Sequence, residues 1–321
     1  EVIKRMKKKI MLISSIATTV LAIATTVSGI LFSNKLMYIK QKDSDFILER
    51  EKKAQRFDEA WFSHVEKLEL SITSPNGYDI KGYFFRPLAT TNTIIICHGV
   101  TENKMNSTKY ARMFERLGFN TVVYDHRRHG DSGGKTTSYG YYEKIDLQAV
   151  VHFIRGLIGE NATIGIHGES MGAVTTLLYA GIIEDEADFY ISDCAFSDFR
   201  ELLYSIVKNS ISIDLKWAVH VTDLFMRLRD GYWTKNIVPK EAVKNIGKPV
   251  LFLHNTHDTF IPCSMTVELY EAKNEPKMLK LFEIGDHAQG FNEDPINYEA
   301  TVREFLHKYV PHVNTLQENA Y

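Results

Sequence analysis

The sequence predicts an α/β fold with a mostly parallel central sheet and helices on both of its faces. Short apolar runs alternate with helical patterns at a repeat of about 30 residues, which implies parallel strands joined by right-handed crossovers. A Gly-x-Ser-x-Gly sequence stands between one apolar run and the helical pattern that follows it. The chain has 321 residues, enough for one large domain of this class with a substantial core.

The N-terminus combines a basic cluster with an uncharged stretch. Residues 1–9 contain five lysine and arginine residues, and residues 10–32 contain no charged side chain. That stretch is longer than the roughly 20 residues that an α-helix needs to cross a bilayer. We expect a single-pass anchor in the cell membrane that keeps the basic flank in the cytoplasm and places the rest of the chain outside.

A cleaved signal sequence is the alternative for this region. The sequence Ala22-Ile23-Ala24 resembles a cleavage site with small residues, and the apolar region would then end at Leu21. The mature protein would in that case be secreted. A soluble helix is a further alternative, because serine and threonine residues dilute the apolar character of the stretch.

Two segments follow the anchor. Residues 33–60 interleave lysine and glutamate, which predicts a juxtamembrane stalk. Residues 61–312 are expected to fold as the main domain, with a tail at 313–321. At the start of that domain, Asn76-Gly77 lies between two alternating apolar runs and predicts a β-hairpin. Further strands are predicted at 93–98, 120–125, 162–166, 189–194, 250–254 and 277–282, and helices near 107–117, 144–158, 173–180 and 265–272.

The sequence His167-Gly168-Glu169-Ser170-Met171-Gly172 joins a predicted strand to a predicted helix. A tight turn in this context holds the serine in a strained backbone conformation and exposes its oxygen at the tip. The small residues on either side let the strand and the helix pass close together. Ser170 is therefore the predicted nucleophile.

A serine hydroxyl needs a base to take its proton and an acid to orient the base. Asp258 follows the strand at 250–254, at the edge of the sheet where α/β proteins place their chemistry. His287 lies in the loop after the strand at 277–282. We predict His287 as the base and Asp258 as the acid, with Asp193 at the end of an earlier strand as the alternative acid.

From about Val65 to Val310 the chain resembles the α/β-hydrolase family. The order Ser170, Asp258, His287 is the order of that fold. The resemblance also rests on residues 93–99, which end in His-Gly, and on residues 125–133, which carry an Asp-x-Arg-x-x-Gly-x-Ser pattern. It is strongest to membrane-anchored bacterial members of the serine-aminopeptidase-like, S33-type branch, and it implies a serine hydrolase of esters, thioesters or amides.

The resemblance further implies an oxyanion hole and a cap. The backbone N–H groups of Val100 and Met171 are the expected oxyanion donors. The sequence at that turn is His-Gly-Val, which argues against lipases that carry His-Gly-Gly-Gly. Residues 196–247 break the strand–helix alternation where this fold inserts a helical cap.

The cap segment is rich in aromatic and aliphatic residues, so we expect an apolar lid over the serine. Its candidate substrate contacts are Tyr204, Trp217, Phe225 and Trp233. Ordinary packing of these helices on the domain is the alternative.

Composition narrows the function classes. The net charge of −2 and the lack of a basic stripe argue against nucleic-acid binding. The histidines lack the spacing of a metal site, and we expect neither a metal nor another cofactor. Cys97, Cys194 and Cys263 fall on or beside predicted core strands and indicate no disulfide framework. The oligomeric state has no signature in the sequence.

The sequence thus predicts a membrane-tethered serine hydrolase. Ser170 attacks an acyl carbonyl, His287 transfers the proton to the leaving group, and Asp258 orients His287. The expected partners are a small-molecule or lipid acyl substrate and the membrane. A carboxylesterase is the first expectation, followed by a thioesterase or lipid acyl hydrolase and then an aminopeptidase. A non-catalytic ligand receptor on the same fold is the alternative from another class.

Overall fold

The structure is a computed structural model that describes residues 1–211 and 216–314. Within these residues, eight strands form one sheet in the order β1-β2-β4-β3-β5-β6-β7-β8. The strands are β1 Lys67–Thr73, β2 Asp79–Phe85, β3 Thr93–Cys97, β4 Asn120–Tyr124, β5 Ile164–Glu169, β6 Phe189–Asp193, β7 Val250–Asn255 and β8 Lys277–Phe282. Strand β2 pairs antiparallel with β1 and β4, and the other neighbours pair in parallel. This confirms the predicted mostly parallel sheet.

Helices cover both faces of the sheet. They are α1 Val2–Met37, α2 Ser44–Lys53, α3 Glu59–His64, α4 Lys104–Arg116, α5 Glu143–Ile158, α6 Met171–Leu178, α7 Phe199–Ile211, α8 Lys216–Asp230, α9 Pro239–Ala242, α10 Cys263–Ala272, α11 Gly290–Glu293, α12 Pro295–Tyr309 and α13 Pro311–Asn314. The predicted tail falls outside the described residues from position 315 onward.

Strand β3 contributes side chains to two hydrophobic cores, one on each face of the sheet. Ile95 and Cys97 pack into the cluster that contains residues of α5 and α6, whereas Ile94 and Ile96 pack into the cluster that contains residues of α4 and α12. Successive side chains of a strand point to opposite faces of the sheet, so a continuous apolar run is buried on both sides. The carboxyl ends of these central strands form the edge that carries the candidate site.

Helix α1 is continuous from Val2 to Met37 and therefore longer at both ends than the predicted anchor at 10–32. Among the helices that the structure describes, it alone has the length and apolar composition to cross a membrane. Such a helix at the N-terminus is compatible with a membrane anchor and with a signal sequence. Its last turn is held on the domain, since the N–H of Thr137 donates to the Met37 carbonyl at 2.9 Å.

The segment at 33–60, predicted as a stalk, lies against the domain. Met37 is 1% exposed and Ile47 is fully buried. Helix α2 packs on α4, and the Glu51 side chain is buried between them. Docking on the domain therefore begins within the predicted stalk, because Ile47 is buried and Arg50 of α2 bonds to Glu102 of the domain.

Candidate active site

Ser170 stands between β5 and α6 with a φ of 55°, a left-handed conformation that strains any residue other than glycine. The two glycines of the turn allow this geometry. A Cβ atom on Gly172 would lie 2.0 Å from the Cys97 carbonyl oxygen, and one on Gly168 would lie 2.3 Å from the Gly172 carbonyl oxygen. Only glycine fits at either position, so strand, turn and neighbouring strand pack backbone against backbone.

The structure brings Ser170, His287 and Asp258 together. The Ser170 Oγ lies 2.8 Å from His287 Nε2, and His287 Nδ1 lies 2.6 Å from Asp258 Oδ2. The three residues come from the loops after β5, β8 and β7, which end at one edge of the sheet. A histidine that donates from Nδ1 to a carboxylate presents an unprotonated Nε2 to the serine hydroxyl, which is the arrangement that lets the serine lose its proton.

Hydrogen bonds hold the Asp258 carboxylate in its charged form. Its Oδ1 accepts the backbone N–H groups of Phe260 and Ile261, each at 2.8 Å, and its Oδ2 lies 3.0 Å from His254 Nε2. Burial opposes ionisation, but the bonds with His254 and His287 together hold the pKa of Asp258 well below its usual range. The acid is therefore a rigid, ionised acceptor for His287.

Asp193, the alternative acid, belongs to a different hydrogen-bond network. Its Oδ2 accepts the Tyr298 hydroxyl at 2.9 Å, and that hydroxyl also lies 2.8 Å from His167 Nε2. Burial, together with the nearby charge of Glu169, raises the pKa of Asp193 to about 6. The geometry thus favours Asp258 as the partner of His287.

The two expected oxyanion donors lie in the region of Ser170. Met171 follows it as the first residue of α6, and Val100 lines the same cleft. The turn before Val100 is held by His98, whose Nδ1 donates to the Gly99 carbonyl at 2.7 Å while its Nε2 accepts the His126 N–H at 3.0 Å. Burial lowers the pKa of His98 to about 4, so a neutral ring keeps both bonds at pH 7.

A cleft of about 480 Å³ opens over Ser170 and His287. Most of the residues that line it are polar or charged, and the apolar residues among them are Ile39, Val100, Phe260 and Ala288. The charged lining residues are Lys42, Arg50, Glu51, Arg56, Glu102, Lys109 and Glu169. Four cationic side chains and three carboxylates thus line the cleft that contains Ser170.

The segment at 39–56 forms one wall of this cleft through paired charges. Arg50 donates from Nη1 and Nη2 to the two oxygens of Glu102, at 3.0 and 2.7 Å, and Lys42 donates to the same carboxylate. Arg56 donates to Glu51 at 2.7 Å. Burial alone would raise the pKa of Glu102, but the bonds and charges of Arg50 and Lys42 together outweigh it and lower that pKa.

Glu169, the residue before the nucleophile, is buried and paired. Its Oε2 accepts from Lys109 Nζ at 2.8 Å and from the Tyr110 hydroxyl at 2.7 Å. Despite complete burial, the Lys109 charge lowers the pKa of Glu169. This pair ties the nucleophile turn to helix α4.

The predicted cap contacts lie elsewhere. Among the described residues that line the cleft, none is Tyr204, Trp217, Phe225 or Trp233. A Cβ on Gly29 of α1 would lie 2.3 Å from the Phe225 ring, the Tyr204 hydroxyl lies 3.3 Å from His220 Nε2, and Trp217 is 52% exposed. In the described residues these four side chains thus do not line the cleft, and α8 turns Phe225 toward α1.

Sequence reasoning missed the residues of 39–56 as cleft residues. A run of interleaved lysine, arginine and glutamate has the same composition in a solvated spacer and in a docked ion-pair wall. The local signal was the short apolar sequence Phe46-Ile47-Leu48 within that run, whose central residue is fully buried in the fold. Within 1–211 and 216–314, no group of histidine, cysteine and acidic residues has the arrangement of a metal site.

Known proteins resemble this chain in both sequence and fold. A family model described as serine aminopeptidase, S33, matches residues 89–201. Protein YqkD of Bacillus subtilis is 46% identical over 94% of this chain and 97% of its own length. The lysophosphatidylserine lipase ABHD12 of Macaca fascicularis is 26% identical over 61% of this chain and 49% of that protein. The solved esterase Pf2001 of Pyrococcus furiosus has a TM-score of 0.63 at 22% identity, covering 81% of this chain and 94% of that one.

Proposed function

The chain belongs to the α/β-hydrolase family, in its S33-type branch of serine hydrolases, and on this premise we propose that it is a carboxylesterase. The observation that carries the proposal is the chain of two hydrogen bonds from Ser170 Oγ through His287 to Asp258, at 2.8 and 2.6 Å. Both bonds join side chains from separate loops, and their order is the one that nucleophilic catalysis by serine requires.

The reaction starts when Ser170 Oγ attacks the carbonyl carbon of the ester. His287 Nε2 takes the hydroxyl proton, and Asp258 stabilises the positive charge that develops on the ring. The carbonyl oxygen becomes an anion and is held by the N–H groups of Val100 and Met171. The helix dipole of α6 adds a favourable partial charge at the same place, because its N-terminus is at Ser170.

Collapse of the tetrahedral intermediate breaks the ester bond. His287 gives its proton to the leaving alcohol, and the acyl group stays on Ser170 as an ester. Water then enters, gives a proton to His287 and attacks the acyl carbon; the bond from that carbon to Ser170 Oγ breaks, His287 returns the proton to Oγ, and the carboxylic acid leaves. Every proton in this cycle passes through His287 Nε2.

The charged lining of the cleft favours an ester with a polar or ionic group near the carbonyl. A lipid ester at a membrane surface has such a head group, and this supports a lipid acyl hydrolase as the second candidate. An aminopeptidase needs a carboxylate for the free amine of its substrate. Glu51, Glu102 and Glu169 already accept from cationic side chains, which argues against that activity.

We place the hydrolase domain at the outer side of the cell membrane, with α1 as a retained anchor and 196–247 as the cap. The support is the continuous helix from Val2 to Met37, the basic cluster at its start and the docking of its last turn on the domain. N-terminal sequencing of the protein recovered from membranes distinguishes this from a secreted form.

A fluorophosphonate probe tests the nucleophile on the full chain in detergent micelles. We expect labelling of the parent protein, no labelling of Ser170→Ala and strongly reduced labelling of His287→Ala. Ser192→Ala is the matched control, because Ser192 is a buried serine on the neighbouring strand whose hydroxyl has no hydrogen-bond partner in the structure. Equal labelling of Ser170→Ala and the parent would contradict the assignment.

A second measurement separates the substrate classes and the non-catalytic alternative. Initial rates on matched neutral esters, thioesters, amides and lysophospholipid micelles rank the activities. Turnover of the esters with loss in Ser170→Ala supports the carboxylesterase. A folded parent that neither labels nor turns over any of these compounds would favour the ligand receptor on the same fold.

A further inference from the structure

Helix α8 has one face on the domain. Val219 and Met226 belong to the main core, and Ala218 and Thr222 are buried beside them. With a turn of 100° per residue, these positions share one side of the helix. A helix that only covered the domain would carry polar residues on its opposite side.

The side of α8 that faces away from the domain instead carries an apolar strip beside the exposed His220 and Arg227. Trp217, Leu224 and Leu228 are 52%, 44% and 71% exposed. Together with Val221 and Phe225 they fall within an arc of about 100° of the helix circumference. Exposed apolar patches of this kind mark surfaces that contact a protein or a membrane.

Part of this second face is covered by α1. A Cβ on Gly29 would lie 2.3 Å from the Phe225 ring and 2.9 Å from a methyl group of Val221. Arg229 lies one turn after Phe225 and two turns after Val221 on α8. It donates to the Ser33 hydroxyl at 2.7 Å and to the Asn34 side chain at 2.6 Å. Later residues of α8 therefore contact later residues of α1, and the two helices run in the same direction.

This register places α8 at the level of the uncharged part of α1. Gly29 lies inside the stretch at 10–32 that has no charged residue, whereas Ser33 and Asn34 lie just beyond it, next to Lys35. Trp217 precedes Val221 by one turn and so lies at the level of a still earlier part of α1. If α1 crosses a bilayer, the start of α8 lies at the depth of the acyl chains and Arg229 lies at the depth of the head groups.

We propose that α8 is a second membrane-binding element, which enters one leaflet beside α1 through the face formed by Trp217, Leu224 and Leu228. The occupant of this face is lipid, because Val221 and Phe225 at its border contact α1 and the last turn of α8 carries two arginines. The proposal rests on α1 spanning the membrane, and it does not depend on the reaction catalysed.

The consequence is a fixed geometry at the membrane. Two contacts with the bilayer, through α1 and α8, restrict rotation of the domain about a single tether. Residues 39–56 continue from α1 and form a wall of the cleft over Ser170, so the opening of the cleft keeps a set distance from the head groups. A domain on a flexible stalk would lack this restriction.

Quenching of tryptophan fluorescence by brominated lipids tests the proposal on the full chain in vesicles of phosphatidylcholine and phosphatidylglycerol. The chain has three tryptophans, and Trp61→Phe with Trp233→Phe leaves Trp217 as the single fluorophore. Two further variants replace Trp217 by phenylalanine and carry Leu228→Trp or Ile296→Trp. Ile296 is 83% exposed on α12, away from α8, and serves as the matched control for an exposed apolar position.

We expect Trp217 to lose about half of its emission or more in vesicles with brominated acyl chains, as a side chain buried in the acyl region does. The tryptophan at 228 should be quenched less, because it lies roughly 16 Å further along α8 toward the head groups. The tryptophan at 296 should not be quenched. Circular dichroism confirms that each variant is folded.

Equal emission of Trp217 in brominated and ordinary vesicles would overturn the proposal. Aqueous iodide then identifies what the face contacts, since quenching means water and protection means a protein surface such as a second copy of the chain. A variant with Leu21→Trp reports on α1 itself. If that position is not quenched by brominated lipid, α1 is not in the bilayer and the proposal fails at its premise.

Discussion

Replacing Asp258 by asparagine should remove most of the activity while leaving the fold intact. The asparagine side chain has the same size, and its amide oxygen can take the place of Oδ1, which accepts the N–H groups of Phe260 and Ile261 at 2.8 Å. The NH₂ group then occupies the place of Oδ2, 2.6 Å from His287 Nδ1. A donor there repels an Nδ1–H.

In Asp258→Asn we expect His287 to adopt the other tautomer, which cannot act as the base. Its proton moves to Nε2, so that Nε2 becomes a donor toward the Ser170 hydroxyl, from which it now lies 2.8 Å, and can no longer take the serine proton. In serine hydrolases with this geometry the same substitution lowers kcat by about 10⁴. At 1.36 kcal/mol for each factor of ten, this is a loss of about 5 kcal/mol in stabilisation of the transition state.

The assay is kcat/KM for a p-nitrophenyl ester, measured on the full chain, together with the rate of fluorophosphonate labelling. Asp193→Asn is the matched control: another buried aspartate at the end of a neighbouring strand, bonded to Tyr298 and not to His287. We expect Asp193→Asn to change kcat/KM by less than about tenfold, the loss that corresponds to 1.36 kcal/mol. Activity of Asp258→Asn within tenfold of the parent, or a larger loss in Asp193→Asn, would refute the assignment of the acid.

Three further predictions concern stability and pH. Gly172→Ala places a Cβ 2.0 Å from the Cys97 carbonyl oxygen, so unfolding in urea should show a loss of about 3 kcal/mol or more. Arg50→Ala removes both guanidinium bonds from the nearly buried Glu102, and the melting curve should show a loss of about 2 kcal/mol. The pKa of Asp193 is raised to about 6 from a usual 3.8, so its contribution to stability is complete below about pH 4 and is lost as the pH rises through about 6. The change in the free energy of unfolding should be on the order of 3 kcal/mol. Asp193→Asn should abolish this pH dependence.

Each of these has a control or a contrary outcome. Gly156→Ala on the exposed side of α5 has open space around the new Cβ and should stabilise the protein by about 1 kcal/mol, which separates strain from a general effect of alanine. An unchanged melting temperature in Arg50→Ala would mean that α2 is not held by that pair. Identical pH profiles for Asp193→Asn and the parent would mean that another carboxylate produces the dependence.

Short-range patterns predicted the elements of the fold well. The strand at 277–282 is β8 with the same bounds, and the helix predicted at 144–158 begins one residue earlier, at Glu143. The hairpin around Asn76-Gly77 is present as the antiparallel pair β1 and β2. These features depend on residues close in the chain, through strand alternation, helical periodicity and turn chemistry, and such signals are complete in the sequence.

Contacts between distant segments were predicted less well. The sequence suggested Phe225 and Trp217 as substrate contacts, and the structure places Phe225 against Gly29 of α1 and leaves Trp217 52% exposed. It suggested a stalk at 33–60, and the structure docks α2 on α4 with Arg50 bonded to Glu102. The sequence of an amphipathic helix shows that it has an apolar face, but the arrangement of the neighbouring elements decides what that face contacts.

The sequence by itself determined the α/β architecture, the strained turn at Ser170 and the order of Ser170, Asp258 and His287, because strand periodicity and the glycines of the turn are local and steric. The tertiary structure alone decided that Asp258 and not Asp193 bonds to His287, and that a charged wall from 39–56 lines the cleft. Those outcomes depend on distances across the edge of the sheet and on burial. Both differ between carboxylates, and between cationic side chains, that are indistinguishable in the sequence.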